Sequence, residues 1–157
     1  LYGRIEVVTI DPKAPRLALA GSVDLILLNR SLHGMHNNEV LDAWLAEFHE
    51  ALKPNGSLGV EQHRAPAGAN PDESSPKGYL PEAWVVEKIE SAGFELAAKS
   101  EINANPKDTK DHAEGVWTLP PTLRLGEQDR AKYEAIGEGD RMTLKFVKTT
   151  APRARPK

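Results

Sequence analysis

The chain has no cysteine among its 157 residues. Disulfides, thiolate zinc sites and cysteine nucleophiles are therefore excluded, while the compartment stays open. No run of about 18 apolar residues occurs, so nothing reads as a membrane-spanning helix. Positive charge is not in excess either: 20 Lys and Arg against 23 Asp and Glu give a formal net charge of -3. Non-specific binding to nucleic acid or to an anionic membrane needs a basic face, and this balance argues against both. A Gly-rich phosphate loop is also lacking. Gly137-Glu138-Gly139 is the sole Gly-x-Gly, and no helix is expected after it. No Gly-x-Ser-x-Gly motif or Ser-His-Asp order points to a hydrolase.

What is present has the grammar of an α/β fold. Residues 5–11 are rich in β-branched side chains and close at Asp11-Pro12, a strand running into a turn. Residues 23–29 are almost continuously apolar until Asn29, as expected of a central parallel strand covered on both faces. Asn37 and Asn38 offer N-caps to a helix in which Val40, Leu41, Trp44, Leu45, Phe48 and Leu52 recur at helical spacing. Pro54 and Gly56 stop that helix, and the next strand runs over residues 57–63. This strand-helix-strand unit implies a parallel sheet with a right-handed crossover. A loop rich in Pro, Gly, Ser and Asn follows over residues 64–78. Pro81 then opens a second helix, which turns Val85, Val86, Ile89 and Ala92 inward and ends at a left-handed Gly93. Residues 94–102 read as a strand, 103–125 as a polar excursion broken by Trp117, and 127–136 as a short helix. Residues 141–147 alternate polar and apolar, as an edge or antiparallel strand does. The expectation is one domain over residues 1–148 and a disordered basic tail over 149–157.

Three short segments stand in a telling order: Gly21-Ser22-Val23-Asp24-Leu25-Ile26, Leu52-Lys53-Pro54-Asn55-Gly56 and Ser91-Ala92-Gly93-Phe94. They resemble three junctions of class I S-adenosylmethionine-dependent methyltransferases: the opening of the fourth strand, the Leu-Lys-Pro-Gly-Gly turn and the Ala-Gly-Phe step before the sixth strand. Other segments cover most of the chain: Arg30-Ser31-Leu32-His33-Gly34-Met35, His63-Arg64-Ala65-Pro66, Asn105-Pro106-Lys107-Asp108-Thr109-Lys110-Asp111-His112 and Trp117-Thr118-Leu119-Pro120-Pro121. These are similar to motifs of a family of bacterial predicted methyltransferases. Ser31, Gly34 and Met35 depart from that family's Arg-Asn-x-His-Asn-Trp. The resemblance implies a Rossmann-like class I methyltransferase sheet whose last strand lies antiparallel beside the fifth. The strands in view are then the third to the seventh. The chain, opening at Leu1, reads as the C-terminal part, with the cofactor loop upstream.

Ligands of such folds sit beyond the carboxyl ends of the strands. On that template Asp11, Asn29 and Arg30 are cofactor-side candidates for S-adenosylmethionine; Asp11 is equally well a turn former. His33 and His63 are the candidate catalytic bases, since an imidazole titrates near neutrality. A structural role for His33, hydrogen-bonded within its loop, is the alternative. Glu61 and Arg64 read as a pocket wall or as a structural ion pair. Asp108, Lys110 and His112 form a dense polar loop, either a solvated turn or substrate-facing. Trp117 with Pro120-Pro121 could fold that loop over the pocket. His33 and His36 lie at i, i+3, yet without cysteine or a carboxylate set in register no metal is expected.

Three functions compete. The first is S-adenosylmethionine-dependent methylation of a small-molecule acceptor, with this chain alone binding the cofactor weakly or not at all. The second is a non-catalytic, methyltransferase-like module that forms a homodimer or pairs with a partner chain completing its sheet. The third, the tail half of a nicotinamide-dependent oxidoreductase, is countered by the antiparallel last strand and the Lys-Pro-Asn-Gly turn. A cytoplasmic location is expected, or a periplasmic or secreted one if a signal peptide has been removed.

Overall fold

Leu41, Leu45 and Phe48 recur at helical spacing and Leu58, Val60 and Gln62 at strand spacing, and all six are buried. Those two periodicities decide which faces meet. The computed structural model describes residues 3, 5 and 7–149. Its elements are β1 (Val23–Asn29), α1 (Leu32–Asn37), α2 (Leu41–Ala51), β2 (Leu52–His63), α3 (Pro71–Ser74), α4 (Glu82–Ser91), β3 (Phe94–Ser100), α5 (Arg130–Ile136) and β4 (Arg141–Lys148). Short 3-10 turns lie at Ser75–Lys77 and Gly115–Thr118.

The four strands form one sheet in the order β1-β2-β4-β3. β1 and β2 run parallel, and β4 is antiparallel to both β2 and β3. The last strand is thus inserted between two earlier ones, which agrees with the antiparallel expectation and gives it an interior place. α2 and α4 cover one face, burying Leu45, Phe48, Val85 and Ile89 against Leu58, Val60, Leu144 and Phe146. Each such side chain contributes about 1.5–3 kcal/mol on burial. No helix among the described residues is long and apolar enough to cross a membrane.

Several local expectations are corrected. Residues 5 and 7–11 carry no strand, and Glu6 lies outside the described residues. Ile5 is 68% and Val7 89% exposed, because no described strand offers that stretch a ladder. β1 is an outer strand, not a central one covered on both faces. Its Ile26 and Leu28 pair with Leu58 and Val60 over the core, whereas Leu25 and Leu27 on the opposite face are 53% and 65% exposed. Asn37 and Asn38 do not cap α2. Asn37 closes α1, Asn38 donates through Nδ2 to the Gly34 carbonyl at 2.7 Å, and α2 starts after Val40 without a side-chain cap. The Lys53-Pro54-Asn55-Gly56 turn interrupts the register, so Val23 pairs with Leu52 and Leu25 with Ser57. Pro81 is the N-cap of α4, which opens at Glu82. Gly93 takes φ 94, the left-handed stop expected after that helix. α1 and α3 occupy stretches that composition alone assigned to loops. Of the expected tail only Thr149 is described, held to the Gly93 carbonyl.

Candidate functional site

Two parallel strands end side by side, β1 at Asn29 and β2 at His63, and β4 begins beside them, with Arg141 paired to His63. Parallel strands present backbone and side chains beyond their carboxyl ends, where this topology leaves a crevice. The crevice is a cavity of about 340 Å3 lined by Asn29, Arg30, His33, His63, Val116, Trp117, Pro120, Pro121, Thr122 and Arg141. The structure therefore brings Asn29, Arg30, His33, His63 and Trp117 together. Trp117 comes from the 3-10 turn Gly115–Thr118, its ring edge-on to His33 with centroids 5.8 Å apart. Arg124 stacks on the indole at 4.8 Å and donates its backbone N–H to the Trp117 carbonyl at 2.9 Å. A second hollow of about 390 Å3 includes His36, Asp42, Asp72 and Lys88. There His36 Nε2 lies 2.8 Å from an Asp72 carboxylate oxygen and Lys88 pairs with Asp42 at 2.7 Å.

The tautomer of His33 follows from its neighbour. Gln62 is fully buried, and its Nε2 donates to the carbonyls of Gly78 (2.8 Å) and His63 (3.2 Å). That fixes the amide with Oε1 toward His33 Nδ1, 3.2 Å away. A carbonyl oxygen only accepts, so Nδ1 carries the hydrogen and Nε2 carries the lone pair. Burial lowers the His33 pKa, partly opposed by the Gln62 bond. His63 is 8% exposed, and its Nδ1 has no hydrogen-bond partner among the described residues. Burial pulls its pKa down to about 4, helped by the charges of Arg141 and Arg30 and by repulsion from His33 wherever that ring is protonated, and opposed by Asp108. Both imidazoles are accordingly neutral at pH 7.

The remaining candidates take other places. Asp108 is buried and accepts from the Tyr79 hydroxyl (3.2 Å), His112 Nε2 (2.9 Å) and the backbone N–H groups of Lys110 (2.9 Å) and Asp140 (2.8 Å). Burial and then the Asp108 carboxylate push the Tyr79 phenol upward. Lys110 pairs with Asp140 at 2.8 Å. Burial works to raise the Asp140 carboxyl, but Lys110 and the Asn105 N–H hold it below the usual range. Asp108, Lys110 and His112 thus form a polar knot behind the cavity, and none of them lines it. A Cβ at Gly139 would lie 3.0 Å from His63 Nδ1 and 3.3 Å from Asp108 Oδ2, so the bare backbone there lets the knot approach the cavity wall. Arg64 binds Glu101 at 2.6 Å and also Glu82 and Asp140, while Glu61 binds Arg141 at 2.7 Å. Asp11 accepts from the Lys13 N–H at 2.9 Å and closes its own Asp-Pro turn. Among the described residues no three His, Asp or Glu side chains converge as metal ligands.

Sequence reasoning missed Gln62 and Arg141. The signals were there: Gln62 continues the buried Leu58, Val60 alternation, and Arg141 opens the strand that ends up opposite His63.

The chain shares its α/β fold with solved structures that include S-adenosylmethionine-dependent methyltransferases. The [4+2]-cyclase SpnF shares it at a TM-score of 0.63 and 18% identity, over 96% of this chain and 58% of that one. So does the 1,6-didemethyltoxoflavin-N1-methyltransferase of Burkholderia thailandensis, solved with 1,6-didemethyltoxoflavin and S-adenosylhomocysteine, at 0.52 and 17% over 85% and 47%. A SAM-dependent methyltransferase from Aquifex aeolicus matches at 0.52 and 15% over 92% and 55%. The chain thus spans about half the length of the structures it matches. No family model and no curated protein matches its sequence. One of the three is named for a cyclisation, so the fold does not by itself dictate methyl transfer.

Proposed function

We propose that this chain carries the acceptor-side half of an S-adenosylmethionine-dependent methyltransferase acting on a small molecule. The supporting observation is the cavity at the strand ends, where Asn29, Arg30, His33 and His63 meet under Trp117. Asn29 is exposed there and makes no side-chain hydrogen bond among the described residues, which suits it to the amino-acid end of the cofactor. When bound, that cofactor supplies an electrophilic methyl on a sulfonium. The chain's own residues then have to align the acceptor, exclude water and take up its proton. His33 suits the last task, because its Nε2 lone pair has no hydrogen-bond partner among the described residues and burial favours its neutral ring near pH 7. His63, less basic, serves as a hydrogen-bond acceptor that orients the same group.

A second reading is favoured by one observation: the Leu25 and Leu27 face of β1 is bare and its outer edge is unpaired among the described residues. A non-catalytic module would use that edge to pair with another chain.

Calorimetric titration with S-adenosylhomocysteine separates the two, run on this chain and on the same chain extended upstream. Micromolar binding by the extended chain alone is expected. Binding by the short chain would show that the cofactor site is already complete in it. Binding by neither would overturn the enzyme reading and favour the pairing module.

A further inference from the structure

Arg30 is the one guanidinium of the cavity with no carboxylate on it among the described residues. Arg141, the other, is held by Glu61 at 2.7 Å and by Glu138, and neither of those carboxylates lines the cavity. Among the described residues no Asp or Glu lines the space. Arg30 is also set in place by its backbone. It adopts φ 54, a left-handed conformation uncommon for a side-chain-bearing residue, and its N–H donates to the Glu61 carbonyl at 2.7 Å. Glu138 feels the Arg30 charge but makes no close ion pair with it, so this strained residue at a strand end can take a nearer anion. The apolar part of the lining is made of the Trp117 indole, Pro120, Pro121 and Val116.

We propose that the ligand of this cavity is a small aromatic or heteroaromatic acid, its ring against Trp117 and the proline wall and its carboxylate on Arg30. A guanidinium fork matches a carboxylate in two parallel hydrogen bonds. A phosphate dianion would need several further donors, and Arg30's own N–H is already spent on Glu61. The neutral rings of His33 and His63 add acceptors for a hydroxyl or amino group carried by the same ring. Such an acid is the methyl acceptor if the methyltransferase reading holds, and to that extent the inference rests on it. The anion subsite is measurable without any cofactor.

Carboxylate could also come from the cofactor's own amino-acid end, so the experiment has two arms. In the first, benzoate, nicotinate and 4-hydroxybenzoate, each beside its amide, are titrated into this chain while the Trp117 indole N–H is followed by NMR, assigned with Trp117→Phe. At least one acid is expected to bind about tenfold more tightly than its amide, and Arg30→Gln is expected to erase that preference. Arg30 is exposed, so the variant keeps its fold. Equal binding of every pair, no movement of the indole resonance, or a preference that survives Arg30→Gln would overturn the proposal. In the second arm S-adenosylhomocysteine is titrated into the upstream-extended chain with and without Arg30→Gln. Loss confined to S-adenosylhomocysteine would assign Arg30 to the cofactor and overturn the acid subsite. An Arg30-dependent acid preference without S-adenosylhomocysteine binding would keep the subsite and remove methyl transfer instead.

Discussion

Acid should unfold this protein partly through one imidazole. His63 is 8% exposed and its pKa lies at about 4 in the folded chain, against an ordinary 6.5. Between those two values the unfolded chain binds a proton that the folded chain refuses, so stability rises with pH across the window and is lost as pH falls through it. At 1.36 kcal/mol per pKa unit, His63 alone removes about 1.4 kcal/mol by pH 5.5 and about 2.5 kcal/mol by pH 4.5. Other groups titrate in the same range, so the clean comparison is with His63→Gln, which keeps a neutral polar side chain. Urea unfolding followed by circular dichroism at pH 7.5, 5.5 and 4.5 gives both stability curves. Whatever the variant costs at pH 7.5, its pH slope should be shallower by those amounts. Parallel curves for the two proteins would refute the reasoning, because His63 would then titrate alike in both states.

Two further outcomes follow from the polar groups behind the cavity. Asp108→Ala strips the acceptor from Tyr79, His112 and two backbone N–H groups at once and should cost about 3–5 kcal/mol in chemical denaturation; a loss under about 1 kcal/mol would mean that water replaces the carboxylate freely. Gln62→Met keeps the volume but removes the acceptor opposite His33 Nδ1, so nitrogen-15 NMR should show the His33 hydrogen redistributing toward Nε2. An unchanged Nδ1–H population would show that something other than Gln62 sets the tautomer.

Periodicity carried most of the fold. The stripe of Leu41, Leu45 and Phe48, the apolar run ending at Asn29 and the alternation from Arg141 onward each produced the element they imply. Pairing partners were harder to read. The β-branched stretch at residues 5–11 has strand composition but no described neighbour, and β-propensity without a partner makes no ladder. The strand ends were legible because two polar residues closing an apolar run have to face something: Asn29, Arg30 and His63 meet in one cavity. Loop residues gave no comparable signal. Whether Asp108 faces solvent, ligand or another loop depends on Tyr79 and Asp140, about 30 residues away on either side. Arg64 read in sequence as either a pocket wall or an ion-pair partner, and three carboxylates, Glu82, Glu101 and Asp140, claim it.

The position of β4 also sets an order of events during synthesis. Among the described strands it is made last, and it alone joins β2 to β3. At about 5–20 residues per second, β2 leaves the ribosome and waits roughly 4–16 s, some 80 residues, for the strand that pairs Ser57 with Val147. Until then the β2 edge is open, a template for pairing with any nascent chain nearby. A chain released without β4 would retain Asn29, Arg30, His33, His63 and Trp117 in its sequence, but would lose Arg141 from the cavity and the link from β2 to β3. Loss of residues 141–157 therefore disturbs the cavity more than the loss of any one side chain that lines it.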